Sequence, residues 1–170
     1  MSSADLGHDR FVVVPASYVF LLRGADDGRD GEGPEVLLQL RRNTGYMDDH
    51  WAAAAAGHVE RGETAVQAAR REAAEEIDVH DVALEFVTAM QRTRHDLPID
   101  ERIDFFFTAR SWRGEPRVVE PHKCAELRWV PLDALDDLPH PVVPHERAVL
   151  ESLRAGTGQA YSTFGFEETP

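Results

Sequence analysis

Gly57-His58-Val59-Glu60-Arg61-Gly62-Glu63-Thr64-Ala65-Val66-Gln67-Ala68-Ala69-Arg70-Arg71-Glu72-Ala73-Ala74-Glu75-Glu76-Ile77-Asp78-Val79 is the stretch on which the fold turns. Ala65, Ala68, Ala69, Ala73 and Ala74 are strong helix formers, and Thr64 is a good N-cap just ahead of them. Gly57 and Gly62 bracket a loop in which glycine permits tight turns and close approach of the backbone. The residues before it, Trp51 to Ala56, read as a strand. The unit is therefore strand, glycine loop, and a helix from about Thr64 to Ile77. On such a helix positions three and four apart share a face, so Glu72, Glu75 and Glu76 fall about one stripe. Carboxylates gathered in this way repel one another unless a cation sits among them. Hard oxygen donors suit Mg²⁺ or Mn²⁺. The competing reading is a surface helix whose Glu and Arg face is simply solvated.

The spacing decides between the two. Gly57 is followed after five residues by Glu63, after seven more by Arg71-Glu72, and after two more by Glu75-Glu76, with the aliphatic Val79 beyond. This pattern resembles the Nudix box, and the chain resembles the MutT-like Nudix hydrolases. It departs from the box in having Asp78 where a glycine is usual and Ala73 where a bulkier apolar residue is common. It also lacks a proline before Gly57, where Ala52 to Ala56 are all alanine. Asp78 deprives the helix of an easy left-handed stop, although Asp tolerates that conformation better than most residues. All the charged positions of the pattern are kept.

The resemblance implies an α/β fold, the Nudix αβα sandwich with a mixed sheet between helices. It also implies a metal site formed by Glu72, Glu75 and Glu76, with the main-chain carbonyl of Ala56 as a further oxygen. Glu63 and Arg71 carry over as a supporting pair, Arg71 orienting carboxylates through paired contacts. Many members activate water with a glutamate outside the box. Glu120, in Val119-Glu120-Pro121-His122-Lys123-Cys124, is the preferred candidate, and Glu126 is the second. Arg41 and Arg42 end a strand facing the loop before the box and are candidates to grip phosphate. Tyr46, Trp51 or one of Phe105 to Phe107 is a candidate to stack a base, against the commoner core role of strand aromatics. His122, His140 and His145 are too irregularly spaced for a zinc site, and Cys124 reads as a small buried apolar residue.

Around this centre the rest of the chain is organised as one domain. Its 170 residues suffice for a substantial core. Residues 10–155 are expected to form the Nudix domain, with 1–9 and 156–170 as flexible or peripheral tails, although Tyr161, Phe164 and Phe166 have the character to pack back. Phe11 to Leu22 and Glu35 to Leu40 read as paired strands. The Gly/Asp-rich segment between them reads as a mobile surface loop; no Glu arrives at EF-hand spacing for a calcium loop. Val82 to Arg94, Arg102 to Ala109 and Leu127 to Val130 read as further strands, with a turn or flap around Pro98. A short helix is expected to start at Pro131, and an amphipathic one spans His145 to Leu153. Strands interleaved with two main helices suggest a sheet covered on both faces.

The charge narrows the function. There are 31 acidic and 18 basic residues, a net charge of −13. Such a surface argues against binding nucleic-acid polymers or anionic membranes. A phosphorylated small molecule remains compatible, because a bound divalent cation reverses the local sign. Cys124 is the single cysteine, so no internal disulfide forms, and the cytoplasm is the expected compartment. A homodimer is the natural candidate for the oligomeric state, since dimers are common among similar proteins. The resemblance implies a Mg²⁺- or Mn²⁺-dependent hydrolase of a nucleoside diphosphate linked to another moiety, such as a nucleoside triphosphate, a damaged nucleotide or a nucleotide sugar. The alternative is a non-catalytic nucleotide-binding or regulatory module of the same fold. Members of that kind typically lose box carboxylates, and this chain retains them. A prenyl diphosphate isomerase fits less well, because no arrangement of extra Cys and His ligands surrounds Cys124.

Overall fold

The computed structural model describes residues 11–24, 33–95 and 97–167. The expectations for residues 1–9 and for most of the Gly/Asp-rich loop lie outside these. Eight strands form one sheet of order β3-β2-β1-β6-β5-β8, with β4 pairing β1 and β7 pairing β2. The strands are β1 (Val14–Arg23), β2 (Glu35–Arg41), β3 (Trp51–Ala53), β4 (Ala55–His58), β5 (Leu84–Arg92), β6 (Arg102–Ala109), β7 (Cys124–Pro131) and β8 (Tyr161–Phe164). Two helices, α1 (Ala65–Ile77) and α2 (Pro144–Ala155), complete the architecture. The sheet is mixed: β1 runs parallel to β6 and β5 parallel to β8, while the other pairs are antiparallel.

Period-two alternation in the central strands explains the two cores. Ala16, Tyr18, Phe20 and Leu22 of β1 join Phe106 of β6 and Val149 and Leu150 of α2 on one face. Val19 and Leu21 join Phe107 and the Ala69, Ala73 and Ile77 stripe of α1 on the other. The expected αβα sandwich with its mixed sheet is therefore observed. No helix among the described residues is long and apolar enough to cross a membrane.

Several boundaries differ from the sequence reading. The single strand expected from Trp51 to Ala56 is two strands broken at Ala54. Trp51 to Ala53 pairs with β2, whereas Ala55 to His58 pairs with β1. The chain thus changes partner midway, which periodicity does not reveal in a run of alanines. Among the described residues β1 and β2 share only the register pairs Leu22↔Val36 and Arg23↔Glu35. No helix starts at Pro131: β7 runs to that residue, and a single helical turn follows at Leu135–Asp137. Beyond residue 155 the chain contributes β8, laid parallel along β5 at the sheet edge.

Candidate active site

The geometry begins with the ends of α1. Thr64 caps the helix in a reciprocal capping box with Gln67. Asp78 ends it in the left-handed region, at φ 57°, where glycine is usual. An ion pair to Arg117 at 2.8 Å and a hydrogen-bond contact with His80 at 3.3 Å occupy the Asp78 carboxylate there. The helix therefore stops at the same place without the glycine.

Between these ends, Ala68, Ala69, Ala73 and Ile77 bury one face against the sheet and turn the glutamates toward the glycine loop. Glu76 accepts a hydrogen bond from the Ala56 amide at 2.9 Å, so the helix is tied to the free edge of β4. Burial, with the charges of Glu72 and Glu120 added, pushes the Glu76 carboxyl up to about 8, against the pull of the Ala56 N–H and of Arg41. Glu72 lies so close to Gly57 that a Cβ at that position would overlap its carboxylate. Glycine is needed there for space, not for an unusual backbone angle. Burial raises the Glu72 carboxyl also, with Arg71 opposing.

Arg71 is the hub of the supporting pair. It donates to Glu63 at 2.9 and 3.1 Å, to Glu75 at 3.1 Å, to the His58 carbonyl at 3.0 Å, and to Glu72. Hydrogen bonding to Glu63 is the largest influence raising its guanidinium further above the ordinary arginine range. Glu75 is the most exposed of the helix carboxylates and faces Arg71. Among the described residues no three Asp, Glu, His or Cys side chains stand in a ligating arrangement; Arg71 is interposed among Glu63, Glu72 and Glu75 instead. The donor set nonetheless fits a hard divalent cation. Its atoms are carboxylate oxygens, and Glu76, raised chiefly by burial and further by the charges of Glu72 and Glu120, is a group whose ionised form a cation would favour.

The two candidate bases part company in the structure. Glu120 lies close enough for its charge to raise Glu76, and Lys123 donates to it at 2.9 Å. Glu126 is engaged by Arg128 at 2.7 Å. Arg42 donates to the Pro121 carbonyl at 2.9 Å, bracing the loop that carries Glu120.

A cleft of about 380 Å³ opens beside Ala56 and Gly57. Arg41 lines it, as do Tyr46, Tyr18, Arg92, Arg102, Ile99 and Glu146, but Arg42 does not. Arg41 is held by neutral oxygens, those of Tyr46 and Thr44, both at 3.0 Å. Its charge acts on Glu76 and on Glu146, so it stands between the carboxylates and the cleft floor. Tyr46 lies beneath both Arg41 and Arg94, whose guanidinium carbons are 5.7 and 5.5 Å from its ring centre. Of the aromatic candidates only Tyr46 lines the cleft. Trp51 is 0% exposed, Phe106 and Phe107 are core, and Phe105 packs against the α1-side core.

Sequence reasoning missed the cleft floor. Arg92 donates to Asp104 at 2.7 Å, and Arg102 approaches the same carboxylate at 3.5 Å. Glu146, on α2, accepts from the Ala53 amide, and burial pushes it up to about 7. The available signal was Asp104: an acid in register with Phe106 on an apolar strand points into the core and demands a cation.

The NUDIX domain family matches residues 15–153, and the chain belongs to that family. Nudix proteins generally are hydrolases acting on pyrophosphate bonds in nucleotide-linked compounds, and they generally use divalent metals such as Mg²⁺. Similar solved structures include a MutT NUDIX hydrolase from Burkholderia pseudomallei, with a TM-score of 0.67 and 25% identity over 82% of this chain and 97% of that one. The E. coli ORF135 protein follows, at 0.60 and 23% over 84% and 89%. The NUDIX domain of Shewanella oneidensis NrtR, solved with ADP ribose, gives 0.65 and 18% over 85% and 88%. At these latter identities the likeness is one of fold. No curated protein matches the chain.

Proposed function

We propose that this protein is a Mg²⁺- or Mn²⁺-dependent hydrolase that cleaves the pyrophosphate bond of a nucleoside diphosphate linked to another moiety. The observation that carries this reading is Glu76. It is a largely buried carboxylate fixed by the amide of Ala56, a residue that lines the arginine- and tyrosine-bearing cleft, and it is raised chiefly by burial and further by the charges of Glu72 and Glu120. Such an arrangement is costly to a protein that does not use it.

Glu72, Glu75, Glu76 and the Ala56 carbonyl would hold the cation, which supplies neutralising charge at phosphate oxygens and a more acidic water. The chain's own residues do the rest. Arg71 and Glu63 orient the carboxylates. Arg41, with no acidic hydrogen-bond partner among the described residues, takes a phosphate oxygen between the metal carboxylates and the cleft floor. Glu120 holds the attacking water and accepts its proton; it already sits beside Glu76 on a loop braced by Arg42. The cleft receives the nucleoside end, and the nucleotide ligand of the NrtR domain supports a nucleotide-type compound here. Retention of every box carboxylate favours an enzyme over a regulatory module. The lone buried Cys124 suits a reducing compartment, the cytoplasm.

The test is turnover of a panel of nucleoside triphosphates and nucleotide sugars with Mg²⁺ or Mn²⁺, detecting released phosphate or pyrophosphate. Activity is expected in the parent chain and is expected to vanish in Glu76→Gln. Silence of the parent across the panel favours the binding module. An unchanged rate in the variant breaks the assignment of Glu76.

A further inference from the structure

The segment after α2 reaches the cleft by two routes. The first is through the backbone. Phe164 is the register partner of Arg92, the last residue of β5 and part of the cleft wall. The Thr93 amide donates to the Phe164 carbonyl at 3.1 Å. At Gly165, φ is +82°, and a Cβ would overlap the Thr93 carbonyl, so the chain turns here against β5 in a way open only to glycine. His95 meets the same turn: its Nε2 lies 3.2 Å from the Gly165 carbonyl, and its ring centre is 6.5 Å from that of Phe166. Thr93 is itself 2% exposed, and its hydroxyl donates to Glu101 at 2.6 Å. Glu101 adjoins Asp100, which with Ile99 forms the cleft rim.

The second route is through side chains. The Phe164 ring stands edge-on to His145, with centroids 6.1 Å apart. His145 in turn stands edge-on to Tyr18, at 5.7 Å, and Tyr18 lines the cleft. His145 is 3% exposed, its Nε2 has no hydrogen-bond partner among the described residues, and its ring packs against Tyr18, Phe106 and Phe164.

We propose that Tyr161–Phe166 is a positioning element of the substrate cleft. It holds Arg92, Tyr18 and the Ile99–Asp100 rim in place for the part of the substrate that the metal carboxylates do not hold, the nucleoside end. The inference rests on the hydrolase reading above. It assigns the segment no contact with the reacting atoms. The carboxylates of α1 are held by Arg71 and the Ala56 amide, groups outside this segment.

The experiment uses the full chain with two substitutions, Gly165→Ala and Phe164→Ala, and Phe164→Leu as the conservative partner of the second. Gly165→Ala forces the turn away from Thr93; Phe164→Ala removes the ring from His145. In both, KM for the substrate found in the panel is expected to rise about tenfold with kcat little changed, the signature of lost binding rather than lost chemistry. The affinity for ADP should fall in parallel. Amide exchange at Thr93 should quicken in Gly165→Ala, and Mn²⁺ affinity in the absence of nucleotide should be unchanged. Phe164→Leu should recover much of the KM. Unchanged KM in both alanine variants, unchanged exchange at Thr93, or a fall in kcat at constant KM would each overturn the proposal. A parent chain that neither turns over nor binds any nucleotide sinks the hydrolase reading and this inference together. An active parent with undisturbed variants sinks this inference alone.

Discussion

Gly57→Ala tests how the glycine loop and the acidic helix work together. The glycine has an ordinary backbone angle, since it is not among the residues with positive φ. Alanine is therefore acceptable to the backbone and, in the unfolded chain, slightly favourable to stability. The new methyl would instead occupy the space of the Glu72 carboxylate, overlapping its carboxyl carbon and Oε1. A flexible side chain moves aside more cheaply than a backbone, so the fold should survive and Glu72 should be displaced. Melting of the metal-free protein is expected to shift by only about 1 kcal/mol or less. Displacing a single oriented carboxylate should weaken Mn²⁺ binding by about 10–100-fold, a magnitude typical of disturbed metal surroundings. The assay is calorimetric titration with Mn²⁺ alone, beside thermal unfolding without metal. Parent-like Mn²⁺ affinity in a well-folded Gly57→Ala would show that the Glu72 carboxylate is not needed in the place the structure gives it. A collapse of stability together with affinity would refute the claim that the glycine serves only to make room.

Three other expectations are open to direct measurement. Glu120→Gln should cut kcat by about 10²-fold or more while Glu126→Gln leaves it near normal, because Glu120 stands close enough to raise Glu76 whereas Glu126 is paired with Arg128; equal effects would remove Glu120 from its role. Glu146 has a folded pKa raised to about 7, above its unfolded value, so its contribution to stability is full below about 4.5 and is lost as pH rises through about 7. Glu146→Gln, which keeps an acceptor for the Ala53 amide, should therefore gain on the parent by up to roughly 3 kcal/mol between pH 5 and 8; a pH-independent difference in denaturant unfolding contradicts this. Finally, with Glu76 raised to about 8, Mn²⁺ uptake at neutral pH should release protons, seen as a binding heat that varies with the ionisation heat of the buffer. A buffer-independent heat at pH 7, vanishing proton release, would deny it.

The α1 unit was legible because its signals are local. Thr64 caps where a cap was expected, and the helix ends at Ile77 even with Asp78 in place of glycine, since Asp78 adopts the left-handed angle and gains Arg117 and His80. The sandwich followed from strand and helix periodicities that agree with the two cores. The cleft was less legible because it is assembled across the sheet. Arg92 and Arg102 lie at opposite ends of the β5–β6 connection, face each other as register partners, and share the Asp104 carboxylate. Glu146 reaches Ala53 across 93 residues of chain. Strand parity and loop direction, invisible in residue type, send Arg42 to the Pro121 carbonyl and Trp51 into the core, the commoner place for a strand aromatic. The change of strand partner at Ala54 was hidden for a related reason: alanine has no side chain large enough to declare a face.

That alanine run has a consequence for how the protein can vary. Ala53 packs in the core on the α2 side, while Ala54 and Ala55 pack on the α1 side, all fully enclosed. The segment is thus pinched between both layers at the point where it crosses from one ladder to the next. One added methylene there has nowhere to go except against a helix, and interiors resist such crowding by about 1–3 kcal/mol. Swelling at Ala55 would lever α1 outward with its carboxylates; swelling at Ala53 would tilt α2 with Glu146. A library randomised over Ala52–Ala55 should consequently return almost only glycine, alanine and serine, and the rare larger survivors should carry a shrunken partner on whichever helix they press.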